Sequence, residues 1–351
     1  MKKFKEIISL LLAIGQTQDF TSRIEDSKVP FLWEIDTNPP SYFFRVQHVP
    51  YKRVWDAVPE NVMDAFEKSE RIYVEFDPTD GKNNKNCYLL PSGMHLSQIL
   101  PRELYLRISQ YMENVESDMH KWFTYEDSPK NLRSLADYFF QTITDNWEHK
   151  RPIWIYILMT EYLTKNNFKN FRPQTTEEVD PVVDNYLIEL AKKKGKKVKG
   201  IEVAADQCKA FTGINSTLVE AILNKILNDA EEFGVGFSRV SATLDDLIFD
   251  YCKGNFDSTI SNLFPIADSY NTEEERLVNE FYKMLKENNL IKRNSNMATR
   301  VVNLLNNNPT KSFFFAFGAA HFLGEDSVIA MVRSQGFKVR KVPADEIFKK
   351  K

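Results

Sequence analysis

Cysteine is scarce in this chain: Cys87, Cys208 and Cys252 are the three in 351 residues. They are too few and too scattered for a zinc framework. In a secreted chain one pair could be bridged with one thiol left over, and the sequence does not say which. Charge of one sign is lacking too. Against 46 Lys and Arg stand 49 Asp and Glu, a net charge of −3, so there is no electrostatic footprint for nucleic acid. No apolar run approaches the roughly 18 residues that cross a bilayer. A His-Glu-x-x-His helix, a Gly-x-Ser-x-Gly elbow and a phosphate loop are absent as well. What is present is 42% apolar content, enough for a large core in one big domain or two.

The amino terminus reads as a secretory signal peptide over residues 1–15. Lys2, Lys3 and Lys5 precede the short apolar run Ile7 to Gly15, and Ala13 and Gly15 are small residues before Gln16. Asn215-Ser216-Thr217 is an acceptable glycosylation sequon. Both point to a secreted protein or one at the extracellular face of the plasma membrane. Residues 16–345 read as a single catalytic domain, and 346–351 as a basic tail.

Within that domain strands alternate with helices. Phe31–Asp36 and Tyr42–Gln47 read as a hairpin around Asn38-Pro39-Pro40, and Arg71–Phe76 as a buried strand. Lys197–Val203, Lys311–Phe317 and Phe337–Val342 complete the strand set. Residues of about 96–195 read as a helical insertion or cap, and a helix over about 273–306 should break near Asn288-Asn289. The expected fold is α/β, a mixed central sheet with a site at its strand ends.

Two histidines sit far apart, each just after an aromatic-rich strand. His48 follows Ser41-Tyr-Phe-Phe-Arg-Val-Gln, and His321 follows Ser312-Phe-Phe-Phe-Ala-Phe-Gly-Ala-Ala. Two glutamates lie inside apolar strands, Glu75 in Ile72-Tyr-Val-Glu-Phe76 and Glu202 in Gly200-Ile-Glu-Val203. A carboxylate there is costly unless it is paired or bound to a metal. Two imidazoles and two carboxylates suit Mn, Co or Zn, with room for a water. Such a site performs metal-assisted hydrolysis of a peptide or ester, with His48, His321, Glu75 and Glu202 as ligands and a carboxylate as general base. His95, His120 and His149 read as surface or packing residues.

A set of specific stretches then points to a family. They are Phe31-Leu-Trp, Pro39-Pro-Ser-Tyr-Phe-Phe44, His48-Val-Pro-Tyr51, Arg53-Val-Trp-Asp56, Asn146-Trp-Glu148 with Lys150-Arg-Pro152, Gln207-Cys208, Lys292-Arg-Asn294 with Met297, and Phe313 to Gly324. The chain resembles the TIKI metalloproteases, animal members of the broader TraB/GumN group, over about Phe31 to Val342. The resemblance implies two Gly-x-x-His motifs and two metal-binding strand glutamates. Gly318 and His321 match the second motif, His48 the histidine of the first, and Glu75 and Glu202 the glutamates. Arg293 matches a characteristic arginine that would orient a carboxylate or hold an oxyanion. The implied activity is Mn- or Co-dependent cleavage near the amino terminus of a Wnt-like secreted protein, antagonising Wnt signalling. Two positions depart from the pattern: Arg45 replaces the first motif's glycine, and Asp145 replaces a glycine before Asn146. A guanidinium at Arg45 could pair with Glu75 or Glu202 and stand in for the cation. That sets up an alternative, a secreted binding module that holds its partner without cutting it. Members of this family usually carry a carboxyl-terminal membrane anchor; none is read before Lys351, and the expectation is either a secreted protein or one trimmed of its anchor.

Overall fold

The computed structural model describes residues 29, 31–77, 87–122, 140, 144, 146–162, 181–235, 237, 244–254 and 263–348. The signal-peptide reading, Asp145, and the side chain of His120 lie outside what is described. The strands are β1 (Leu32–Ile35), β2 (Ser41–Val46), β3 (Arg71–Phe76), β4 (Lys197–Glu202), β5 (Phe313–Gly318) and β6 (Val339–Val342). They form one six-stranded sheet in the order β4-β3-β5-β2-β1-β6. The first four in that order run parallel, and β1 lies antiparallel between β2 and β6. The sheet is therefore mixed and the class α/β.

β5 sits between β3 and β2, and its Phe313-Phe-Phe-Ala-Phe317 run is wholly buried. A strand covered on both faces needs no alternation of apolar and polar residues. Each such phenylalanine contributes about 1.5–3 kcal/mol on leaving water. One face carries Phe44, Ile72, Val74, Phe314 and Ala316 under α1 (Glu60–Lys68), α4 (Val183–Lys193) and α7 (Leu244–Lys253). The other carries Phe43, Tyr73, Phe315 and Phe317 under α9 (Lys292–Asn307) and α10 (Val328–Ser334). These are three layers, helix on sheet on helix.

A separate helical core joins α2 (Arg102–Trp122), α3 (Pro152–Ile157), α6 (Ser216–Phe233) and α8 (Glu273–Lys286). It draws on residues both before and after β4, while α4 packs in the sheet layers. Trp147 and Trp154 are partly buried against this helical core. Between α8 and α9 the chain does not break at Asn288-Asn289. It continues through a π turn, Glu287–Ile291. Such a turn inserts one residue and re-aims the side chains that follow. The disulfide joins Cys87 to Cys208 on α5 (Ala204–Thr212), and Cys252 is left free and buried. Among the described residues no helix is long and apolar enough to cross a membrane.

Candidate active site at the strand ends

Because β4, β3, β5 and β2 run the same way, their carboxyl ends share one edge of the sheet. Ligands gather at that edge in such folds. The topology brings four sequence-distant residues to it. His48 lies two residues past β2, Glu75 near the end of β3, and Glu202 closes β4. His321 lies on the 3-10 turn Ala319–Phe322, directly after Gly318 ends β5.

Three of the four meet at one atom. His48 Nε2 lies 3.4 Å from Glu75 Oε2, and His321 Nε2 lies 3.6 Å from the same oxygen. The Gly318 N–H donates to that oxygen at 3.2 Å. A Cβ on Gly318 would stand 2.7 Å from His48 Nε2 and 3.1 Å from Glu75 Oε2. Glycine is required there by close approach, since its φ of −57° and ψ of 143° suit any residue.

The far nitrogen of each imidazole is also held. His48 Nδ1 lies 2.7 Å from Asp184 Oδ2 on α4, and His321 Nδ1 lies 2.5 Å from Asn294 Oδ1 on α9. Neither Asp184 nor Asn294 was legible as a site residue. Each is a polar position on an amphipathic helix; Asn294 stood in a family stretch read for Arg293, and Asp184 stood in none.

Glu202 reaches this group through Arg293. The Arg293 Nη2 donates to Glu75 Oε1 and, at 2.6 Å, to Glu202 Oε2. Its Nε donates to Glu202 Oε1 at 2.9 Å, and Nη1 to the Asn289 carbonyl at 3.2 Å. A guanidinium has five N–H donors, and four are committed here. The Glu202 side chain is 0% exposed. Arg293 thus clamps two carboxylates, and its N–H groups are largely spent on them rather than open to an oxyanion.

The electrostatics follow. Burial opposes ionisation of Glu75, but His321 and Arg293 outweigh it and hold its carboxyl well below the usual carboxylate range. Burial likewise pulls Arg293 down, and the two glutamates hold it above its ordinary value. For His48 burial lowers and Asp184 and Glu75 raise, with a net rise to about 10. The His48 side chain is 49% exposed, so the carboxylate contacts are the cause that stands.

A depressed carboxyl makes stability pH-dependent. Glu75's contribution is complete above its unfolded value of about 4.5 and is lost as pH falls below it. Melting of the wild type should therefore fall more steeply between about pH 5 and pH 3 than melting of Glu75→Gln. Parallel slopes in thermal scans would refute this assignment.

Arg45 does not take the place foreseen for it. Its guanidinium lies 4.9 Å from the Phe31 ring centre and 5.4 Å from that of Tyr251, and donates to the Tyr251 carbonyl at 3.4 Å. The partners of Glu75 are His48, His321, Arg293 and Gly318, and those of Glu202 belong to Arg293. The aromatic rings solvate the Arg45 cation away from both carboxylates. Its backbone is extended β2, so no left-handed strain arises. Of the other histidines, His95 and His149 pack ring to ring at 4.2 Å.

The donors suit a divalent cation in their chemistry. With Nδ1 of each ring engaged, both Nε2 atoms turn toward one carboxylate oxygen. The Glu75 carboxylate is compensated there either by protons on the Nε2 atoms or by a cation that displaces them. Two imidazole nitrogens and a carboxylate oxygen are donor types that a divalent cation takes. Among the described residues, however, no group of three or more His, Cys, Asp or Glu side chains could hold a metal ion as it lies. Glu202, spent on Arg293, does not join the imidazoles.

Comparison with known proteins gives the class. The pattern of the TraB/PrgY/gumN family matches residues 31–341, and the chain belongs to that family. Its relatives there are TIKI proteins. Metalloprotease TIKI2 of Xenopus tropicalis is 35% identical over 354 residues, covering 98% of this chain and 66% of its own. Metalloprotease TIKI1 of Homo sapiens is 36% identical over 323 residues, covering 90% and 62%. A Metalloprotease TIKI homolog of Nematostella vectensis is 35% identical over 326 residues, covering 90% and 68%. The chain thus spans about two thirds of the length of the curated relatives it matches. No solved structure matches it.

Proposed function

We propose that the chain is a metal-dependent endopeptidase. The observation that carries this is the convergence of His48 Nε2 and His321 Nε2 on one oxygen of Glu75. The printed names of its relatives, all metalloproteases, support it. His48, His321 and Glu75 would hold the cation, with Mn or Co favoured by the family resemblance and Zn also suited to the donors. A divalent cation supplies Lewis-acid polarisation of a carbonyl and a water acidic near neutral pH. To the extent that the cation leaves it unengaged, the Glu75 carboxylate would take a proton from water and pass it to the leaving amine. Arg293 holds Glu75 in that orientation through Oε1, and Glu202 anchors Arg293. Gly318 leaves the gap into which the reacting groups fit.

The proposed substrate is a Wnt-like secreted protein cut near its amino terminus, and the proposed location is outside the cell or at its surface. Asn215 fits that setting. It is exposed, and its Oδ1 accepts from the Thr217 N–H at 2.8 Å, which leaves the amide nitrogen open to a glycan. Against a module that binds without cutting stands the placement of Arg45, over aromatic rings instead of on the carboxylates.

The test incubates purified protein, with and without Mn²⁺ or Co²⁺, with a Wnt protein and reads the substrate's amino terminus by mass spectrometry. Metal-dependent cleavage is expected, and His321→Ala should lower its rate at least about a hundredfold. Loss of neither metal dependence nor rate in that variant refutes the proposal, and Arg45→Gly should leave an already substantial rate unchanged.

A further inference from the structure

We infer that Asp184 and Asn294 are positioning residues: each keeps the proton of its histidine on Nδ1, so that both Nε2 lone pairs point at one cation. The inference rests on the metal-binding reading above and concerns residues outside the ligand set.

The argument starts from what each partner can accept. Asp184 is a buried carboxylate on α4, and its hydrogen-bond partner is His48 Nδ1. An ionised carboxylate has no proton to donate, so the proton in that contact belongs to Nδ1. Burying such a group is costly without compensation, and the contact with His48 supplies it.

Asn294 is wholly buried, and an amide presents an oxygen at one end and a nitrogen at the other. The backbone decides which end faces His321. Asn294 Nδ2 donates to the Asp326 carbonyl at 2.7 Å. That turns Oδ1 toward His321 Nδ1 at 2.5 Å. An oxygen there accepts, so Nδ1 carries a proton and Nε2 is the nitrogen left to face a cation. The opposite tautomer would set lone pair against lone pair.

The two supports come from opposite sides of the sheet, α4 on one face and α9 on the other. Both helices are fixed by apolar packing, so the imidazoles are held by elements with little freedom to yield. Asn294 follows Arg293, and both come just after the π turn Glu287–Ile291. One local irregularity thereby aims adjacent side chains at two parts of one site: Arg293 at the glutamates and Asn294 at His321. The supports differ in charge. A carboxylate raises the basicity of its imidazole, and an amide orients its ring without adding charge.

The experiment uses the full chain in three steps. In ¹⁵N-histidine-labelled, metal-free protein, the ring nitrogens of His48 and His321 are read by long-range proton–nitrogen correlation. A protonated Nδ1 on both rings is expected, and a bare Nδ1 on either overturns the inference with no variant involved. Co²⁺ is then titrated into wild-type protein by its visible absorption. Failure to bind sinks the metal reading itself, whatever the ring protons show. Where the wild type binds, Asp184→Ala and Asn294→Leu should weaken Co²⁺ about 10- to 100-fold. Asp184→Asn, which keeps an accepting oxygen, should retain most of the affinity. Equal affinity in all three variants overturns the inference. So does an Asp184→Asn variant as weak as Asp184→Ala, since charge alone would then matter. Thermal melting of each metal-free variant separates loss of fold from loss of binding.

Discussion

Arg293→Met is expected to lower folding stability by about 3–5 kcal/mol, the cost of stranding buried charge. The guanidinium sits between two carboxylates, and four of its N–H groups are engaged by Glu75, Glu202 and the Asn289 carbonyl. Glu202 has a side-chain exposure of 0% and draws its hydrogen bonds from Arg293. Methionine fills the volume and supplies no charge, so the Glu75 carboxyl would be pushed toward protonation and buried Glu202 would lose its hydrogen-bond donors. The sign of the pH effect follows. With the guanidinium gone, the Glu75 carboxyl loses a force that depresses it, and the deficit against wild type should shrink as pH falls below about 4.5. Arg293→Lys should rescue little, because one ammonium cannot span two carboxylates as a planar fork does. Urea denaturation at about pH 7 and pH 4 measures both the loss and its trend. A loss under about 1 kcal/mol at pH 7 would mean that the clamp is a solvated surface pair.

Gly318→Ala is expected to act in the opposite manner, with a small effect on folding and a large one on function. The backbone there is open to alanine, so no left-handed strain is introduced. The new methyl, however, would stand 2.7 Å from His48 Nε2 and 3.1 Å from Glu75 Oε2. One of those groups must move. His48, half exposed and beyond the end of its strand, has more room to shift than buried Glu75, at the cost of its contact with Asp184. A displacement on the order of 1 Å at a reacting centre costs about a hundredfold in rate, whereas an extra methylene in a packed site costs about 1–3 kcal/mol in stability. Co²⁺ titration, peptidase rate and melting temperature, measured on the same preparation, separate the two effects. Full activity in the alanine variant would show that the gap beside Gly318 is not where the reaction occurs.

The contrast between these two residues shows how the site was read. Arg293 and Gly318 both stood out in the sequence through their family resemblance, and the structure assigns them different work. Arg293 could have held an oxyanion or a carboxylate, and its saturation by Glu75 and Glu202 favours the carboxylates. Glu202 looked equivalent to Glu75, since each is a lone carboxylate in an apolar strand. The register of β3 and β4 pairs Phe76 with Glu202 and places both glutamates beside Arg293. Glu75 alone then faces the histidines. Arg45 is the clearest case of context overriding a local departure. Its position in the first motif suggested a charge beside the site, whereas Phe31 and Tyr251 take it up elsewhere.

Periodicity and composition determined the α/β class, the β1–β2 hairpin and the buried strands β3 and β5, and singled out His48, His321 and Glu75 as candidates that the fold brings together. Those signals are local or additive: alternation, apolar runs, and the cost of a carboxylate among apolar neighbours, each legible within a dozen residues. Only the tertiary structure decided that Glu202 belongs to Arg293, that Cys87 pairs with Cys208, and that Asp184 and Asn294 grip the imidazoles. Those pairings join residues tens to hundreds of positions apart, and they exist only once parallel strands bring their ends to one edge with packed helices on both faces.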